Sequence, residues 1–293
     1  MGRTEGALAA AAHVDSVSVP RPARPPAEPA DPSVFNEIVR RCHGMLPPAV
    51  YKKIYEFGRS GGLIVEVGTA LGGGTAALAL GLRDSGRPGR VVTFDPMTGG
   101  PLRQVSDASA RAQLVRSNLE HFGVADLVQV VTDTLGAGIE AIGADEPISV
   151  FMIDADGRID RDLLVAAPRL RSGTKLIIDD IGDELRLTDR IGSKLKVDQK
   201  MRLAFLLLEK FKRAGLISEG MLIKETYFGE VLQSNPEIPL EQVLEAYREL
   251  VFGYTHWRYS ERARRSVLKV MERWAPGILQ RARVLYRNAH TKG

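Results

Sequence analysis

The chain has 293 residues, of which 44% are hydrophobic and 26% charged, proportions that are ordinary for a folded globular protein. Its 40 Lys and Arg residues nearly balance its 36 Asp and Glu residues, so the net charge of +4 gives no argument for binding nucleic acid. The one cysteine, Cys42, excludes an internal disulfide and favours a reducing cytoplasm. No apolar run approaches the roughly 18 residues that a membrane span needs.

The beginning of the chain predicts an arm followed by two helices. Residues 1–33 are rich in proline and alanine and offer little apolar surface, which predicts a disordered arm. Residues 34–42 and then 50–57 carry apolar side chains at helical spacing. Pro47-Pro48 separates these two helices and begins the second one.

The middle of the chain alternates short apolar strands with helices. This alternation implies right-handed crossovers and a mostly parallel sheet, so the predicted fold class is α/β with a Rossmann-like, doubly wound sheet. Strands that are apolar along their whole length are typical of a sheet covered on both faces. The pattern predicts strands at residues 63–67, 90–94, 127–131, 148–153 and 174–178, helices at 75–83, 106–122, 138–142, 161–167 and 201–211, and a hairpin of 216–223 with 225–231.

The end of the chain, residues 236–293, predicts a basic helical extension. Within it, residues 254–293 hold ten Lys or Arg and two Glu, interleaved with aromatic and aliphatic residues. A helix of this kind most often packs its apolar stripe and leaves its cations in solvent. Contact with RNA is the alternative interpretation.

A glycine-rich segment, EVGTALGGGT at residues 66–75, connects the first predicted strand of the sheet to the next helix. Glycines let a ligand approach the backbone closely, and the free amides at the start of a helix favour an anionic group. The spacing fits neither the G-x-G-x-x-G dinucleotide motif nor a phosphate-binding P-loop. The candidate ligand-binding residues of this segment are Glu66, Gly68, Thr69, Gly72, Gly74 and Thr75.

Acidic residues follow the next two strands. Asp95 ends the second strand and suits the two hydroxyls of a ribose, because ligands of open α/β sheets lie beyond the carboxyl ends of the strands. Asp133 follows the third strand and could meet an adenine amino group. A carboxylate that only shapes a turn is the alternative for both residues.

Three further acids follow the fourth and fifth strands. Asp154 ends the fourth strand and Asp179-Asp180 end the fifth. If these strands are neighbours, their carboxylates converge, and clustered carboxylates repel one another unless they are protonated or bridged by a cation. Oxygen ligands without His or Cys favour Mg²⁺ over Ca²⁺ or Mn²⁺. The alternative is that Asp179 or Asp180 only caps the next segment.

With these motifs in this order, residues 34–231 resemble the class I S-adenosylmethionine-dependent methyltransferases. Within that class they are most similar to the metal-dependent O-methyltransferases, which include catechol and caffeoyl-CoA enzymes and bacterial enzymes that methylate sugars and antibiotics. The glycine-rich segment corresponds to the family's first motif, Asp95 to its ribose-binding acid and Asp133 to its adenine-side acid. The family's metal triad corresponds to Asp154, Asp179 and Asp180.

This resemblance implies a methyltransferase domain at residues 34–235 with an N-terminal helical lid. It implies a seven-stranded sheet whose last strand is antiparallel, and a homodimer. The implied reaction moves the methyl group of S-adenosylmethionine to a hydroxyl of a small molecule in secondary metabolism, such as antibiotic biosynthesis. Mg²⁺ held by the triad would lower the pKa of that hydroxyl. We expect no nucleic-acid or membrane partner.

The sequence departs from the family at one catalytic position. Where the family often has Lys or His, three residues after its first metal-binding Asp, this chain has Gly157. The metal site around Asp154 could then act alone, another base could substitute, or catalysis could be lost. The substitute candidates are Asp156, Asp183 and His256, and Lys194 and Lys196 could also lie near the substrate.

Two other functions stay open at this point. One is an RNA methyltransferase that uses the basic C-terminal helices. The other is a non-catalytic protein that binds S-adenosylmethionine, a hypothesis that Gly157 motivates.

Overall fold

The computed structural model describes residues 30–98, 108–183, 186–188 and 196–252, and a few residues between 267 and 278. Of 186–188 and 196–198 it describes the backbone. The chain divides into two compact units, residues 1–246 and 247–293. Nearly all of the predicted arm and more than half of the predicted basic extension lie outside the described residues, so the predicted boundaries at 33 and 235 stay predictions.

The described elements follow the predicted alternation closely. The first five strands lie within one residue of the predicted bounds, and the five longest helices of residues 30–213 lie within two. The helices are α1 (Ser33–Arg41), α2 (Pro48–Gly58), α3 (Gly73–Ser85), α4 (Ala108–His121), α5 (Leu135–Gly138), α6 (Ile159–Ala166), α7 (Lys200–Arg213) and α8 (Leu240–Phe252). The strands are β1 (Gly62–Val67), β2 (Gly89–Phe94), β3 (Val128–Val131), β4 (Ile148–Ile153), β5 (Lys175–Ile178), β6 (Arg186–Thr188), β7 (Lys196–Asp198), β8 (Met221–Ile223) and β9 (Thr226–Glu230).

Seven strands form one sheet in the order β3-β2-β1-β4-β5-β9-β8. The strands β1 to β5 pair in parallel, and β9, the last strand in the chain, is antiparallel to both of its neighbours. The prediction of a seven-stranded sheet with an antiparallel last strand is therefore confirmed. The strand order reverses beside β1, which is where open α/β sheets bind their ligands.

The register of the sheet brings the ends of the central strands level. Val67 lies opposite Phe94 of β2 on one side and opposite Ile153 of β4 on the other. Ile153 in turn lies opposite Ile178 of β5. The residues that follow these four positions therefore meet at one edge of the sheet.

The core explains why the central strands read as continuous apolar runs. Ile64 and Val65 are neighbours in β1 whose side chains point to opposite faces, and both are fully buried. Helices α1 and α2 pack with α3 and contribute the buried side chains of Phe35, Ile38 and Ile54. The N-terminal helices therefore belong to the same core that supports β1.

Two short predicted elements differ from the structure. The helix predicted at residues 138–142 begins earlier, at Leu135, because the hydroxyl of Thr134 accepts a hydrogen bond from the Ala137 amide and caps it. The first arm of the predicted hairpin at 216–223 is a strand only from Met221, because Gly220 takes a left-handed conformation with φ of 58°.

A second, two-stranded sheet of β6 and β7 was not predicted. Leu187 pairs with Val197 in antiparallel register, between β5 and α7, where the sequence pattern predicts neither a strand nor a helix. Strands of three residues carry too little periodicity for a sequence pattern to identify. Among the described residues, no helix combines the length and the apolar composition that a membrane crossing requires.

Candidate active site

The glycine-rich segment forms a tight turn between β1 and α3. Gly68 has a φ of 98°, and a Cβ atom at this residue would overlap the backbone carbonyl of Asp154. The Gly68 amide donates a hydrogen bond to the Phe94 carbonyl at 2.8 Å. The turn is thus held against the ends of both β2 and β4, which only a residue without a side chain permits.

Glu66, the acid of this segment, is buried with one oxygen engaged and the other open. Its Oε2 accepts hydrogen bonds from the hydroxyls of Thr75, at 2.5 Å, and Thr93, at 2.6 Å. Among the described residues, its Oε1 has no hydrogen-bond partner. Burial, with a smaller contribution from the charge of Asp95, raises the pKa of Glu66 to about 7.

Asp95 connects the glycine-rich turn to the segment after β2. Its Oδ2 accepts a hydrogen bond from the Ala70 amide at 3.0 Å, and its Oδ1 accepts one from the Met97 amide at 2.7 Å. Asp133, one strand further along the sheet, accepts a hydrogen bond from the Thr134 amide at 2.7 Å and shapes its own turn. Both carboxylates stay partly accessible to solvent.

The three acids after β4 and β5 converge as the sequence predicts. Asp154, Asp179 and Asp180 each present a carboxylate oxygen, and these oxygens lie within 4.8 Å of one another. Two backbone hydrogen bonds fix the first two residues, from the Asp154 amide to the Val67 carbonyl and from the Asp179 amide to the Ile153 carbonyl. Their meeting follows directly from the register of β1, β4 and β5.

Burial and mutual repulsion alter the acidity of this triad. Burial raises the pKa of Asp154 to about 6, against the opposing charge of Lys200. Burial, followed by the charges of Asp154 and Asp180, raises the pKa of Asp179 to about 7. The hydroxyl of Thr226 donates a hydrogen bond to Asp179 at 2.5 Å. A cation that bridges these buried, mutually repelling carboxylates would stabilise their charged form.

Lys200, the first residue of α7, reaches into the triad. Its Nζ lies 2.5 Å from Oδ2 of Asp180 and 3.6 Å from Oδ1 of Asp154. Burial by itself would lower the pKa of Lys200, but the charges of Asp154 and Asp180 outweigh burial and raise it. The lysine is therefore a cation at neutral pH. Sequence reasoning missed it, since a lysine in the first turn of an apolar helix gives no sign of a site.

The other candidate bases are placed differently. Both oxygens of Asp156 are hydrogen-bonded to the guanidinium of Arg161, at 2.8 Å and 3.1 Å. Partial burial would raise the pKa of Asp156, but the hydrogen bonds and charge of Arg161 outweigh it and lower the pKa. Asp183 forms an ion pair with Arg202.

The side chains of the remaining candidates lie outside the described part of the chain. His256 and Lys194 lie outside the described residues, and Lys196 is described by its backbone alone. The structure therefore leaves their predicted roles as predictions.

A cleft connects the glycine-rich turn to the triad. Glu66, Asp154 and Asp179 at the edge of the sheet line it, and so do residues 42–46, which connect α1 to α2. The phenol of Tyr51 is buried against the turn, and burial together with the charge of Asp154 raises its pKa. Tyr51 gave no signal in the sequence beyond its place on a helix.

Comparison with known families gives a match by sequence. Residues 65–181, which run from β1 to the residue after Asp180, match the model of a family described as a methyltransferase domain. A search of curated protein sequences gives no significant match.

Solved structures of low sequence identity share the fold. A provisionally assigned O-methyltransferase from Klebsiella pneumoniae is 18% identical over 71% of this chain and 92% of that chain, with a TM-score of 0.50. A provisionally assigned caffeoyl-CoA O-methyltransferase from Staphylococcus aureus is 15% identical over 69% of this chain and 92% of that chain, also with a TM-score of 0.50.

For a further solved structure, the match covers a smaller share of both chains. The O-methyltransferase TomG from Streptomyces achromogenes, involved in tomaymycin synthesis and solved with SAM, is 21% identical over 50% of this chain, with a TM-score of 0.39. This chain covers 64% of TomG, which is less than two thirds of its length. Residues 65–181 of this chain therefore match a methyltransferase domain, and the order of the strands in the sheet agrees with the Rossmann-like methyltransferase fold.

Proposed function

We propose that the protein transfers a methyl group from S-adenosylmethionine to a hydroxyl oxygen of a small molecule, with the assistance of a divalent cation. One observation carries the proposal: Asp154 belongs to both halves of the site. Its backbone carbonyl touches the glycine-rich turn, and its side chain belongs to the acidic triad. A donor in the cleft and a cation at the triad would therefore be neighbours.

The residues around the turn fit S-adenosylmethionine. Glu66 offers an unpartnered buried oxygen, which suits an ammonium group. Gly73 and Gly74 bring the start of α3 to the cleft, where its amides favour a carboxylate. Asp95 suits a ribose. When bound, S-adenosylmethionine supplies a methyl group on a positively charged sulfur, and its transfer to oxygen leaves S-adenosylhomocysteine.

The acidic triad fits a divalent cation by its donors and by its charge. It presents three carboxylate ligands, the type that Mg²⁺ prefers, and Lys200 neutralises only one of the three charges. Asp154, Asp179 and Asp180 would hold the cation. A bound divalent cation supplies Lewis acidity, which lowers the pKa of a coordinated hydroxyl.

No protein base is assigned in this proposal. Gly157 has no side chain, and Arg161 holds both oxygens of Asp156. The acceptor hydroxyl would lose its proton to solvent water, with its pKa lowered at the metal site. The chain's own residues then orient the acceptor against the methyl group, and this positioning supplies a large part of the rate enhancement.

Calorimetry with S-adenosylmethionine and S-adenosylhomocysteine, followed by a screen of catechols and vicinal diols, tests the proposal. We expect cofactor binding in the wild type and turnover that EDTA abolishes and Mg²⁺ restores. Asp179→Asn should lose turnover but still bind S-adenosylhomocysteine, whereas the exposed control Asp145→Asn should match the wild type. Turnover that survives thorough chelation would exclude the metal, and absence of cofactor binding would exclude methyl transfer.

We also propose a secondary metabolite as acceptor and a homodimeric assembly, in keeping with the resemblance seen in the sequence. The acceptor screen tests the first, and the mass of the protein in solution by light scattering tests the second. A monomer at micromolar concentration would contradict the dimer.

A further inference from the structure

The ammonium group of Lys200 and a divalent cation would need the same oxygens. Lys200 Nζ lies 2.5 Å from an oxygen of Asp180 and 3.6 Å from an oxygen of Asp154. Both acids belong to the triad whose oxygens lie within 4.8 Å of one another. The side chain of Lys200 is only 22% exposed, so water screens these interactions weakly.

Gly157 leaves the space that Lys200 occupies beside the triad. A Cβ atom on Gly157 would lie 2.6 Å from the Lys200 carbonyl oxygen and 2.9 Å from its Cγ. Gly157 also has a φ of 80°, which side-chain-bearing residues rarely adopt. The loop after β4 therefore leaves room for the start of α7 because residue 157 is glycine.

A second contact holds the start of α7 near the triad. The Gly182 amide, two residues after Asp180, donates a hydrogen bond to the Met201 carbonyl at 3.5 Å. The backbone at the start of α7 thus lies close to the loop after β4 and to the loop after β5, and the side chain of Lys200 reaches the carboxylates from there.

The charges of the site imply that the Lys200 ammonium and a divalent cation compete for the same carboxylates. Three carboxylates repel one another, and one ammonium relieves part of that repulsion. A divalent cation that binds the same oxygens must share Asp180 with the ammonium or displace it, and two cations at one carboxylate repel each other. Each cation therefore weakens the binding of the other.

We propose that Lys200 is a built-in competitor that sets the affinity of the triad for divalent cations. The inference rests on the proposed metal site and adds a regulation to it. In the metal-free protein the ammonium stabilises the triad; in the metal-bound protein it moves away from Asp180. Metal affinity is consequently lower than that of the same triad without the lysine.

Titration with Mn²⁺, followed by electron paramagnetic resonance of the free ion, tests this directly. We expect Lys200→Met, which keeps the length of the side chain but removes its charge, to bind Mn²⁺ at least tenfold more tightly than the wild type. Lys200→Arg, which keeps the charge, should stay near the wild-type affinity. Lys212→Met is the matched control, because Lys212 lies on the same helix but pairs with Glu209; its Mn²⁺ affinity should not change.

A second variant displaces the backbone of Lys200 and keeps the lysine itself. In Gly157→Ala the added Cβ atom pushes against the Lys200 backbone, so Mn²⁺ should again bind more tightly. This variant decides the matter if Lys200→Met does not fold, as judged by circular dichroism. Wild-type or weaker Mn²⁺ affinity in the folded variants would overturn the proposal.

If the triad does not bind metal at all, the Mn²⁺ titrations give a different result from a failure of the Lys200 proposal alone. If neither the wild type nor Lys200→Met binds Mn²⁺ at millimolar concentration, both the competition and metal assistance are wrong. Binding of S-adenosylhomocysteine, measured on the same samples, then shows whether the methyl-transfer part of the function stands without them.

Discussion

The backbone carbonyl of Asp154 occupies the space in which a side chain on Gly68 would begin. This contact joins the turn after β1 to the end of β4, and so joins the proposed donor site to the acidic triad. Residue 68 has two requirements, a positive φ and the absence of a Cβ atom, and glycine alone meets both. The spacing between the two halves of the site depends on that one residue.

Gly68→Ala should therefore disrupt the site more than a positive φ alone explains. We expect it to destabilise the protein by about 2 kcal/mol or more and to abolish binding of S-adenosylhomocysteine, because the turn must move away from Asp154. Urea unfolding and calorimetry measure the two effects.

Gly173→Ala is the matched control for that substitution. Gly173 also has a positive φ, of 87°, but nothing lies within 4 Å of the position of its Cβ atom. It should cost only about 1 kcal/mol and leave cofactor binding intact. Equal effects of the two substitutions would show that the contact with Asp154 is unimportant.

The stability of the ligand-free protein should fall as pH rises toward neutrality. Burial raises the pKa of Glu66 to about 7 from an ordinary value of 4.5, so between these values the folded state holds a proton that the unfolded state has lost. The stabilisation is complete below pH 4.5 and is lost as pH rises through 7, with a maximum slope of about 1.4 kcal/mol per pH unit for one group.

Glu66→Gln should reduce this slope. It should not remove the slope, because the pKa values of Asp154 and Asp179 are raised in the same direction. Urea unfolding from pH 4.5 to 8 in the presence of EDTA measures it. A slope that is the same in the variant and the wild type would show that Glu66 is ionised throughout this range.

Asp95→Ala should weaken the binding of S-adenosylhomocysteine by about 10- to 100-fold, as expected for the loss of hydrogen bonds to a charged group, worth about 1.5–3 kcal/mol. The carboxylate would meet the ligand, and it also holds the amides of Ala70 and Met97 in place. Calorimetry at fixed ionic strength gives the affinity. An unchanged affinity would remove Asp95 from the cofactor site.

Asp156→Asn decides whether this acid is a relocated base. Its ion pair with Arg161 is largely exposed and should contribute no more than about 1 kcal/mol to stability. Because Arg161 engages both oxygens, we expect turnover within about threefold of the wild type. A general base contributes about 10²- to 10⁴-fold, so a loss of that size would restore Asp156 as the catalytic base.

Much of the fold could be predicted from the chain because the relevant signals are local. Apolar runs marked the five parallel strands to within one residue, and proline at residue 48 marked the start of α2. The short elements were harder to predict from the sequence. The helix at Leu135 depends on a capping hydroxyl, and the β6–β7 hairpin is too short to show a period.

The sequence alone determined which acids could meet, since parallel strands align their carboxyl ends and each of Asp95, Asp154 and Asp179 directly follows a strand. Only the tertiary structure decided that β4 and β5 are neighbours, that Arg161 engages Asp156, and that Lys200 enters the triad beside Gly157. These contacts depend on strand order and on the path of α7. No local pattern records them, because residues far apart in the chain become neighbours only when the sheet and its helices pack together.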